Sequence, residues 1–100
     1  MLLREIAHSR TGDNGNRSII SVIAYDIKDF PRIEAEVTAE RVKILYQDLV
    51  KGHVERFVMP QIGALNFVLH DALGGGVTTS LALDAHGKSL SSAILSLQID

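Results

Sequence analysis

At 100 residues the chain has the size of one domain, enough for one core but not for a deep cavity walled on every side. Apolar residues make up 46% and charged residues 22%, ordinary globular usage that excludes a disordered chain. A formal charge of −2 makes nucleic acid an unexpected partner, and the lack of cysteine excludes disulfides, thiolate catalysis and Cys-ligated zinc.

The first residues, Met1-Leu2-Leu3-Arg4-Glu5, become charged too early for a signal peptide. No apolar run approaches the roughly 20 residues of a membrane helix, so no membrane association is expected. With no cysteine, a cytoplasmic location is expected. Residues 2–8 read as a short strand anchored by Leu3, Ile6 and Ala7. Residues 9–17, Ser-Arg-Thr-Gly-Asp-Asn-Gly-Asn-Arg, read as a loop, because glycine, asparagine and aspartate favour turns and left-handed backbone. Residues 19–25 are β-branched and almost continuously apolar, the pattern of a central strand covered on both faces.

Residues 26–36 form a connection with room for a helical turn after Pro31. Thr38 is a good N-cap, and Val42, Leu45, Tyr46, Leu49 and Val50 continue at helical spacing to a stop at Gly52. Residues 54–59 read as a strand stopped by Pro60. A second helix is expected over residues 62–73, with Leu65, Val68, Leu69, Ala72 and Leu73 as its buried stripe and Gly74-Gly75-Gly76 as its end. Val77, Thr79, Leu81 and Leu83 alternate as a strand, and residues 84–88 turn. Residues 88–97 fit a short helix, with a closing strand as the alternative. The order β-β-α-β-α-β implies two right-handed crossovers and an α+β two-layer sandwich with a sheet of about four strands.

Three stretches carry a family likeness: Arg10-Thr11-Gly12-Asp13-Asn14-Gly15-Asn16, Thr38-Ala39-Glu40-Arg41-Val42, and the run from Leu65-Asn66-Phe67 through His70-Asp71 to Gly74-Gly75-Gly76. Together they resemble the C-terminal ferredoxin-fold domain of the AtuA-like (acyclic terpene utilisation) family. The resemblance covers nearly the whole chain and implies a ferredoxin-like sandwich with two main helices. In that family the domain commonly follows a much larger region, so a separate large AtuA-like chain is the implied partner. The family is linked to acyclic terpene and acyl-CoA catabolism. A lysine is often found where this chain has Asn14, so no role needing a cation there is expected.

Three features could carry function. Around Gly12, Asp13, Asn14 and Gly15, backbone N–H groups could form an anion-binding nest flanked by Arg10 and Arg17; the bland alternative is a connection with solvated arginines. A calcium loop is excluded because the glycine comes too early and no glutamate closes it, so no metal is expected. Asn66 and His70, four apart on the expected helix, share a face, with Asp71 beside them. His70 could be an acid or base and Asn66 an oxyanion donor, against the alternative of hydrogen bonds that only fix the helix. His8, His53 and His86 look like surface residues. Gly74, Gly75 and Gly76 permit close approach by a ligand or chain, or merely a flexible turn.

No cofactor is evident. Two functional classes follow. One is a binding and assembly module completing a composite site with a large AtuA-like chain. The other is a small interface enzyme using His70 on an acyl-CoA or carboxylate held by Arg10 and Arg17. A ligand sensor would rest on fold analogy alone. Open sheet edges and a small core make a homo-oligomer expected in each case. All of these readings require the arginine-bearing segment to lie beside Asn66 and His70.

Overall fold

The computed structural model describes residues 1–14, 17–48, 50–71 and 89–100. Their regular elements, in chain order, are β1 (Ala7–Asn14), β2 (Arg17–Ala24), α1 (Phe30–Glu36), α2 (Ala39–Leu45), β3 (Val54–Met59), β4 (Ala64–His70) and α3 (Ser89–Ile94). Short 3₁₀ turns occupy Leu3–Glu5, Ile27–Asp29 and Pro60–Ile62.

The sheet order is β1-β2-β4-β3, with every neighbouring pair antiparallel. β2 and β3 are therefore parallel with β4 between them, and α1 and α2 lie in the connection from one to the other. Period-two alternation sends Ile20 and Val22 of β2 and Leu65, Phe67 and Leu69 of β4 to one face. There they pack with Phe30, Ile33, Val37, Val42, Tyr46 and Ile94 in a single core. α2 packs on β3 and β4, and α3 packs on β1. The result is an α+β two-layer sandwich of ferredoxin-like type.

Local chemistry explains the helix limits. Pro31 lies in the first turn of α1, where its missing N–H costs no hydrogen bond. The Arg56 guanidinium donates to the carbonyls of Glu34 (2.7 Å) and Val37 (3.0 Å), satisfying the end of α1 from the sheet. Thr38 Oγ1 accepts from the Arg41 amide at 3.2 Å and starts α2 as expected. α2 ends at Leu45 rather than near Gly52, although Tyr46 and Val50 remain buried. Burial pushes the Tyr46 phenol well above its ordinary range, with only partial relief from a hydrogen bond to the Ile94 backbone.

Four further expectations change. Leu3–Glu5 is a 3₁₀ turn, and the first strand starts only at Ala7. The expected loop 9–17 is mostly strand, since β1 runs to Asn14 and β2 starts at Arg17. The expected helix 62–73 is strand β4 over Ala64–His70. Phe67, which would face away from that helix's stripe, is fully buried with Leu65 and Leu69, so period two wins over period 3.6. One crossover connection, not two, joins the strands of the described residues. The strand expected at 54–59 and its stop at Pro60 match β3 and the turn Pro60–Ile62. The short helix expected within 88–97 holds as α3. The expected strand 77–83, the turn after it, His86 and the glycines Gly74, Gly75 and Gly76 lie outside the described residues.

Candidate functional site

The same alternation that fills the core sends a second set of side chains to the opposite face of the sheet, where no helix packs among the described residues. Register arranges this face in rungs. Arg10 stands opposite Ser21, Ser21 opposite Asn66, and Asn66 opposite Phe57. The next rung joins Gly12, Ile19, Val68 and Glu55. Beyond it Asn14 pairs with Arg17, and Arg17 with His70. Apolar residues interleave with the polar ones: Ile19, Ile23, Val68 and Met59 are half-buried, and Phe57 is 48% exposed.

Two polar groups form on this face. In the first, the Ser21 hydroxyl donates to Asn66 Oδ1 at 2.7 Å, one strand away from the exposed Arg10. In the second, His70 Nε2 lies 2.5 Å from Glu55 Oε1, while His53 Nε2 lies 3.7 Å from the same oxygen. The His53 and His70 rings stack with centroids 4.1 Å apart and planes 16° from parallel. The hydrogen bond with His70 holds the Glu55 carboxyl below the usual glutamate range. Loss of hydration opposes this, and the charges of His70, His53 and Arg17 add to the lowering.

Strand pairing builds this second group. His53 and Glu55 are two apart and therefore share a face. The His70 amide donates to the His53 carbonyl at 3.0 Å, and the Gly52 amide donates to the His70 carbonyl at 3.0 Å. Gly52 lets the two chains close: a Cβ there would sit 2.7 Å from the His70 carbonyl oxygen. The Lys43 ammonium donates to the Gly52 carbonyl from the other side. Gly52 thus serves strand closure rather than the end of a helix.

The arginine-bearing hairpin and the segment with Asn66 and His70 are neighbours, as the sequence reading required. They are joined as strands, so among the described residues the site is a sheet face and not a pocket beside a helix. Asn66 and His70 do share a face, but a strand spaces them about 13 Å apart, too far to act on one small group. Asp71 does not flank His70. It is exposed, and with φ at 56° it takes left-handed backbone just past the strand. The partners of His70 are Glu55, which the sequence reading passed over, and His53, expected at the surface and indeed exposed. The alternation His53-x-Glu55 leading into a strand was the signal available.

The expected nest also changes form. Gly12 and Asp13 are extended residues of β1, whose N–H groups alternate in direction and cannot converge on an anion. Gly12 has open space around its Cβ position and needs no special backbone. Gly15 lies outside the described residues. Arg10 and Arg17 are exposed and form no salt bridge among the described residues, so their guanidinium groups are available to an anion.

A groove lined by Arg41, Ile44, Leu45 and Leu97 belongs to the helix layer and not to this face. No helix among the described residues is long and apolar enough to cross a membrane. Comparison with curated proteins and with solved structures finds no match. The family described as AtuA ferredoxin-like domain matches residues 1–100, the whole of the sequence whose sheet and helices are set out above. The chain belongs to the AtuA ferredoxin-like domain family.

Proposed function

We propose that this domain is a binding and assembly module that offers the sheet face opposite its described helices to a large AtuA-like chain. In that complex Arg10 with Asn66 and Arg17 with His70 line two separate ends of a composite site for an extended ligand that carries a carboxylate or phosphate, in acyl-CoA or acyclic terpene catabolism. One observation supports the reading best. The face mixes guanidinium groups that form no salt bridge among the described residues with half-exposed Ile19, Ile23 and Val68 and the exposed Phe57. A sheet face of that composition loses solvent-exposed apolar area when another chain covers it. On this reading the complex is cytoplasmic.

Sedimentation of the chain with a large AtuA-like chain tests this. The two should co-sediment, and Phe57→Asp should weaken association at least tenfold while the melting temperature stays within about 2 °C, as for other exposed positions. Independent sedimentation of the wild-type chains would overturn the assembly reading.

A small interface enzyme is the second reading, and the short His70–Glu55 contact favours it. A carboxylate bound to one ring nitrogen orients the imidazole and leaves Nδ1 to take or give a proton. Asp71 has no part in this version.

A further inference from the structure

We infer that His53, Glu55 and His70 form a binding site for a divalent first-row transition ion, with Zn²⁺ or Co²⁺ as the fitting class. Each of the three side chains offers one donor atom, and the donors all lie within 4.8 Å of one another. Two imidazole nitrogens and one carboxylate oxygen are a donor set of borderline softness. It suits zinc, cobalt or ferrous iron, and it does not suit magnesium or calcium, which take oxygen. Both Nε2 atoms lie near the same oxygen, Glu55 Oε1, at 2.5 and 3.7 Å.

A metal at about 2.1 Å from each donor in tetrahedral geometry spaces those donors roughly 3.4 Å apart. The His70–Glu55 pair has to open by roughly 1 Å, and the stacked rings, whose in-plane lone pairs run nearly parallel, have to tilt until both aim at the ion. Both movements are side-chain rotations at a partly exposed place, since the His53 and Glu55 side chains are 70% and 45% exposed. On metal binding the neutral His70 ring gives its Nε2 proton to solvent and takes one from solvent at Nδ1, a change of tautomer with no net proton released. The nitrogen lone pair so freed forms the bond to the metal.

The backbone holds these groups before any ion arrives. Pairing of His70 with His53 sets the two rings in register, and Gly52 permits the approach. Three protein donors leave at least one coordination position open. Arg17, the cross-strand neighbour of His70, stands where it would meet an anion bound at that position. This site needs no second chain, so it stands or falls separately from the assembly reading.

Titration of the metal-free full-length chain with CoCl₂, followed by visible d–d absorption, and with ZnCl₂ by calorimetry tests the site. Saturation at one ion per chain is expected, with no competition from millimolar Mg²⁺. His53→Ala and Glu55→Gln should each weaken binding at least tenfold. Arg17→Gln should strengthen it several-fold by removing a like charge. His8→Ala, whose ring stacks on Tyr25 instead, should change nothing. Circular dichroism of each variant separates loss of ligand from loss of fold. No saturable binding by the wild type, or binding indifferent to both His53→Ala and Glu55→Gln in folded protein, overturns the inference.

Discussion

Glu55 is the residue at which several side chains meet. It accepts from His70, faces His53 and feels the charge of Arg17. Its carboxyl group is more acidic in the folded chain than in the unfolded one, so the unfolded state binds the proton more tightly. The resulting stabilisation is complete above the ordinary glutamate value of about 4.3 and fades as pH falls through the lower folded value. Carbon-detected NMR of the Glu55 carboxyl should give a midpoint below that of an unpaired glutamate. In His70→Asn the midpoint should rise back toward the ordinary range, and an unchanged midpoint in that variant would show that His70 is not the main cause. The sequence announced His70 by residue type alone. It did not announce Glu55, because the partner is set by β3–β4 register, 15 positions away along the chain.

Strand closure between β3 and β4 rests on Gly52 more than composition suggests. Any side chain there meets backbone, at 2.7 Å from the His70 oxygen and 3.0 Å from its carbon. Gly52→Ala should therefore cost about 1–3 kcal/mol, in the range of overpacked sites. For a domain of this size that is roughly 4–20 °C in melting temperature. An unchanged melting curve would mean that the chain before β3 has slack to move aside. Element boundaries were legible where local chemistry decides them, as at the Thr38 cap and at Pro60. They were not legible in β4. Leu65, Val68 and Leu69 fit a helical stripe, and Leu65, Phe67 and Leu69 fit a strand equally well. Only the place of β4 between β2 and β3 resolves the choice, because there its backbone pairs on both sides and Phe67 is buried.

At the scale of the molecule, the two chain ends brace each other. Leu3 and Arg4 donate their amides to Leu97 and Leu95, each at 2.9 Å, and Ile99 donates to Met1 at 2.9 Å. Leu2 and Gln98 form an antiparallel bridge, and Arg41 reaches the Gln98 carbonyl at 2.7 Å. Ile99 is buried in the common core. Deleting residues 95–100 removes that side chain, worth about 1.5–3 kcal/mol, and leaves the Leu3 amide without its partner, about 1–3 kcal/mol more. Against a total stability of about 5–15 kcal/mol, this should lower the melting temperature by at least about 10 °C or abolish cooperative melting. A truncated chain that melts like the full one would show that the terminal pairing is decorative.

The sequence by itself determined the α+β class, the family, the capped start of α2, the strand β3 and the residue types available for chemistry. These depend on spacing, turn residues and composition, which act within a few positions of each other. Tertiary structure alone decided that residues 64–70 are a strand, that Asn66 and His70 are far apart on one sheet face, and that Glu55 and His53 are the partners of His70. Those facts depend on which strands lie side by side. Pairing between distant segments is chosen by burial of the whole core, which no local pattern records.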